Sequence, residues 1–126
     1  MNFISKILAP TDCSEASIDA LKYSIKIAKT HCAKLMVLYV ESRFNNDVFN
    51  LTANMVAKNQ LEAFWESMGE NEIEANLVIK YGDPFTEIMR YAKSNKNDII
   101  VMGTHGRTGL MHVLMGSVAE KIVRYF

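Results

Sequence analysis

Two cysteines and two prolines in 126 residues, no excess of either charge and no long apolar run leave this chain with few special devices. Cys13 and Cys32 match neither a disulfide framework nor a zinc knuckle in their spacing, which points to a reducing compartment and a cytoplasmic protein. Fourteen basic side chains balance fourteen acidic ones, so no polyelectrolyte partner is expected, nucleic acid included. No stretch approaches the roughly 20 apolar residues of a membrane span, and the polar break in "MNFISKILAP" rules out a secretory apolar core. No Gly-Lys-Ser/Thr occurs, which excludes a Walker-type phosphate loop, and "PTDCSEAS" after the first apolar run lacks the glycines of a dinucleotide fingerprint.

What is present alternates short apolar runs with helix-period stretches. At this length the whole chain, residues 1–126, reads as a single domain. "FISKILAP" is a strand stopped by Pro10, and Ser14 caps a helix whose stripe is Ile18, Leu21, Ile25, Ala28 and Cys32. "KLMVLYV" is a continuous apolar strand followed by the polar loop "ESRFNNDVFN". A helix from about Leu51 to Met68 is clearest at Leu61, Phe64, Trp65 and Met68, with Gly69 as its terminator. Alternation at Ile73, Ala75, Leu77, Ile79 and Tyr81 describes a strand with one wet face or a peripheral place in the sheet. Asp83 caps the next helix with Pro84 at its first position, "DIIVM" is a fourth strand, and a last helix spans about Ser117 to Arg124. The alternation predicts an α/β fold: a Rossmann-like open parallel sheet of four strands with helices on both faces.

In such sheets ligands bind beyond the carboxyl ends of the strands, where successive crossovers diverge. "APTDCS", "YVES" and "GTHGRTGLMHVLMGS" should meet there. The last holds four of the six glycines and leads into the final helix. Glycines let backbone N–H groups approach a ligand, and a helix start adds unpaired donors, so the stretch suits phosphate, with Arg107 as a forked cation and Ser117 as a hydroxyl. A surface loop using glycines for turns is the competing reading. Asp12 likewise reads either as a ligand or as a residue beside a helix cap. Cys13, His31, His105 and His112 fit no catalytic or metal-ligand spacing.

The opening "KILAPTDCSEAS", "LYV", "YGDP" and above all "DIIVMGTHGRTGLMHVLMGSVAEKIVR", with its Gly-x2-Gly-x9-Gly-Ser/Thr spacing, resemble the universal stress protein family in its ATP-binding branch. The resemblance implies ATP as ligand, with Mg2+ or Mn2+. It implies that Pro10, Thr11 and Asp12 line the ribose and phosphate end, and that Asp12 helps hold the phosphate-borne ion. Val40 would meet the adenine, with Met102 and Gly103 as the opposite wall. Gly106, Arg107, Gly116, Ser117 and Val118 would surround the phosphates.

The resemblance further implies a homodimer or other oligomer, an unidentified signalling partner and a role in stress response. No catalytic residue is assigned, so the first expectation is a regulatory ATP-binding protein rather than an enzyme. A slow ATP hydrolase or phosphoryl transferase and a nucleotide-free interaction module are the alternatives. Family members usually continue into a fifth, Pro-containing strand, whereas this sequence stops at "KIVRYF". The outer edge of "DIIVM" is therefore expected to pair with another chain, or the sequence is a truncated product.

Overall fold

The computed structural model describes residues 4–41 and 51–103. Within them four strands, β1 (Lys6–Thr11), β2 (Lys34–Glu41), β3 (Ala75–Tyr81) and β4 (Ile99–Ile100), form one sheet in the order β3-β2-β1-β4. Every adjacent pair is parallel. The connecting helices are α1 (Ile18–His31), α2 (Leu51–Ser67) and α3 (Pro84–Ser94), and a single 3-10 turn, Glu15–Ser17, precedes α1. The expected final helix and the question of a fifth strand lie outside the described residues.

Strand order and helix placement follow from one handedness rule. Parallel strands need crossovers, and these are right-handed, so two successive steps in the same direction put both helices on one face. The steps β1 to β2 and β2 to β3 carry α1 and α2 to the face of Ile7, Ala9, Leu35, Val37 and Tyr39, where Leu21, Ile25, Ala28, Ala57 and Leu61 are buried. The return from β3 to the far side of β1 reverses direction, and α3 covers the other face, burying Ile88, Met89 and Ala92 with Leu8, Met36 and Leu38.

The cap predicted for α3 is present: Thr86 N donates to Asp83 Oδ2 at 2.9 Å, and Pro84 opens the helix. Past α2, Gly69 takes a left-handed φ of 65° and its N–H donates to Glu66 O, as a helix terminator should. The stripe of α1 differs in one place. Cys32 is exposed, adopts φ 53° and closes the helix with its N–H on Ala28 O.

Pro10 does not stop β1, which continues through it to Thr11. Lys6 O and Leu8 O accept from Asp98 N and Val101 N, both at 2.9 Å, so even-numbered residues of β1 direct their backbone groups toward β4. Pro10 shares that side, one step beyond the last bond, and costs the β1–β2 ladder nothing. Its missing donor instead limits the neighbour. Expected over Asp98 to Met102, β4 pairs with β1 only at Ile99 and Ile100.

At the opposite end of these strands Asp98 Oδ2 accepts from Ser5 N, Ser5 Oγ and Lys6 N at 2.9, 2.9 and 3.0 Å. The N–H of Ser5, then that of Lys6, holds this carboxyl below the usual aspartate range. A depressed pKa contributes stability that is present above the unfolded value and is lost as pH falls through the folded one. The urea midpoint of wild type should therefore exceed that of Asp98→Asn by a constant margin above about pH 5, and the margin should shrink below about pH 4. A margin unchanged at about pH 2 would remove this carboxylate from the acid response.

Candidate functional site

Crossovers diverge between β1 and β4, so a crevice belongs at the carboxyl ends of these two strands. Six of the residues singled out from the sequence are described there: Pro10 and Thr11 close β1, Asp12 follows it, Val40 lies near the end of β2, and Met102 and Gly103 follow β4. Gly106, Arg107, Gly116, Ser117 and Val118 lie outside the described residues.

Val40 of β2 and Met102 beyond β4 pack against one apolar cluster, that of Leu8, Leu38 and the buried side of α3. Phe85 packs against it as well. The helix-period spacing of Phe85, Ile88, Met89 and Ala92 marks Phe85 only as part of the buried face of α3. Its place in the first turn, two residues after the Asp83 cap, is the signal that topology sets it at the carboxyl end of the sheet. Gly82 N donates to Glu41 O at 3.1 Å and ties that turn to the exit of β2. One side of the crevice is thus apolar and half-buried.

The other side carries hydroxyls and a carboxylate. Thr11 is in register with Tyr39, and its Oγ1 lies 2.8 Å from Ser17 Oγ and accepts from Cys13 N at 3.0 Å. Ser17 Oγ donates to Ser14 O at 2.7 Å, and a hydroxyl has one proton to give. The Thr11 hydroxyl is therefore the donor in the pair. Its proton points inward to Ser17, so the hydroxyl can meet a ligand only as an acceptor.

Asp12 Oδ1 accepts from Ser14 N at 2.9 Å and also from Ser14 Oγ. Ser14 was expected to cap the helix with its side chain, but neither Ser14 before the 3-10 turn nor Ser17 before α1 makes such a bond. The Ser14 hydroxyl serves the Asp12 carboxylate instead. Cys13 sits between them with φ 63°, which turns the chain sharply out of β1. Among the described residues no three His, Cys, Asp or Glu side chains cluster as a protein-only metal site. One oriented carboxylate is the donor set Mg2+ uses when phosphates supply its other ligands.

Gly103 leaves β4 against the 3-10 turn. A β-carbon there would stand 3.1 Å from Ala16 O and 3.6 Å from Ser17 Cα. Its φ is not left-handed, so glycine is favoured by space rather than by conformation: a side chain there would need Ala16 O to give by a few tenths of an ångström.

An open parallel sheet whose crevice at the switch point pairs an apolar wall with an oriented carboxylate defines a ligand-binding doubly wound α/β protein. The chain belongs to the universal stress protein family, whose profile matches residues 4–126. Universal stress protein MJ0531 of Methanocaldococcus jannaschii is 35% identical over 138 residues, which cover 98% of this chain and 78% of that protein. The solved structure of MJ0577, from the same organism, superposes with a TM-score of 0.82 at 30% identity, covering 98% of this chain and 91% of its own. A universal stress protein solved in complex with cAMP shares the fold, with a TM-score of 0.74 at 20% identity over 98% of this chain and 91% of that one. No helix among the described residues is long and apolar enough to cross a membrane.

Proposed function

We propose that this chain binds ATP as a regulatory ligand, with Mg2+ or Mn2+ carried on the phosphates, as a homodimer in the cytoplasm. The observation that supports this most is the convergence of Val40 and Met102 on one apolar cluster while the Thr11–Asp12 turn stands at the same end of the sheet. That is the arrangement a flat apolar base attached to a charged phosphate chain calls for. The adenine nucleotide in the cAMP complex of a protein with this fold agrees with the reading. Asp12 is oriented at the turn by two donors from Ser14, which suits it to meeting an ion carried on the phosphates. Phosphoryl transfer needs an oriented nucleophile as well as charge neutralisation, so hydrolysis is expected to be slow or absent.

Binding would order the Gly103 to Ser117 stretch and so change the surface a signalling partner meets, provided ATP has different affinities for the two states. Calorimetric titration with ATP and Mg2+ should give saturable binding, and hydrogen exchange in residues 103–117 should slow in the complex. No saturable heat would dismiss the ligand; binding with unchanged exchange at saturation would dismiss the ordering.

A further inference from the structure

We infer that Ser17, to which the sequence assigns no role, is a positioning residue for the crevice: through the buried Thr11–Ser17 hydroxyl pair it sets the distance between the exits of β1 and β4. The inference rests on the nucleotide reading above. Two independent observations carry it. The first is a directed chain of hydrogen bonds, in which Cys13 N donates to Thr11 Oγ1, the Thr11 hydroxyl to Ser17 Oγ, and the Ser17 hydroxyl to Ser14 O. This chain ties both ends of the turn after β1 to the end of the strand itself. Ser17 and Thr11 are both buried, so water cannot readily replace either partner.

The second is the seat of Gly103. The backbone of Ala16 and Ser17, held by that chain, is the surface against which β4 leaves the sheet, with Ala16 O where a side chain would otherwise begin. Beyond Val101 Pro10 has no N–H to give to β4, and the two strands are paired only at Ile99 and Ile100, so this contact adds to a short ladder in fixing the two exits. Without the Ser17 hydroxyl, the Thr11 proton loses its acceptor and the turn loses its tie to Ser14 O. The seat under Gly103 then shifts, and with it Met102, whose side chain belongs to the apolar wall.

The test is ATP–Mg2+ affinity, measured by calorimetry on folded protein, alongside the urea midpoint. Ser17→Ala should bind about tenfold more weakly, the factor that about 1.4 kcal/mol carries. Ser24→Ala is the control: Ser24 is equally buried and its Oγ donates to Ala20 O at 2.9 Å within α1, so it should lower the midpoint and leave affinity unchanged. Ser17→Thr, which keeps a hydroxyl at this position, should bind nearly as tightly as wild type, and Ser17→Cys, which keeps the shape but is a weak donor and acceptor, should weaken binding by an intermediate factor. This second pair decides the matter if Ser17→Ala does not fold. Wild-type affinity in Ser17→Ala or Ser17→Cys overturns the inference and leaves the nucleotide reading standing. Absence of binding by wild type overturns both.

Discussion

Gly103→Val should lower stability by about 2 kcal/mol and reduce ATP affinity at least a hundredfold, the larger effect falling on the ligand. The first added atom would already lie 3.1 Å from Ala16 O, inside ordinary contact distance, and valine then adds two γ-carbons. The obstacle is backbone, which has no rotamer with which to withdraw. Relief must come from moving the exit of β4 away from the turn after β1, and that motion opens the crevice. Stability suffers less because the strain sits beyond the last β1–β4 hydrogen bond, from Val101 N to Leu8 O, so the ladder survives. Urea denaturation and calorimetry on the same preparation separate the two effects. Retained affinity with a lowered midpoint would show that Gly103 serves packing alone.

Leu8→Ala is expected to destabilise by about 3 kcal/mol, a large share of a small domain's total stability. Leu8 is fully buried on the central strand β1 and packs with Met36, Leu38, Ile88, Met89 and Ala92. Truncation removes three carbons where strands and helix meet from several sides, so the cavity cannot collapse cheaply. Met55 on α2 is 62% exposed, and Met55→Ala should change stability by less than about 0.5 kcal/mol. Near-equal urea midpoints for the two variants would mean that α3 does not close its face of the sheet. Because Val40 and Met102 rest on the same cluster, Leu8→Ala should also weaken ATP binding, though less than Gly103→Val does.

Much of this fold was legible in the sequence because its signals are periodic and local. The three-and-four spacing through Leu21, Ile25 and Ala28, the unbroken run in β2 and the Asp83-Pro84 start of α3 each specify an element without knowledge of its neighbours. The alternation from Ile73 to Tyr81 allowed one wet face or a peripheral place for β3, and it is the edge strand beside β2. Part of the candidate site followed from the same order of elements, since strand ends in a doubly wound sheet converge whatever the side chains. The homodimer, the phosphate-side residues from Gly106 to Val118 and the pairing of the outer edge of β4 remain expectations drawn from the sequence.

Pro10 shows where local reading fails. As a residue without an N–H it ought to end its own strand, yet it ends the pairing of its neighbour, because only the sheet decides toward which partner that N–H would have pointed. Thr11 and Ser14 show the same for side chains: a hydroxyl's single proton goes to the acceptor that folding brings closest, here Ser17 for one and Asp12 for the other. By itself, then, the amino-acid sequence determined the kinds of elements, their order and hence the family. The tertiary structure alone decided the direction of each hydrogen bond and why position 103 favours glycine, because those depend on contacts between segments distant along the chain, which no local pattern encodes.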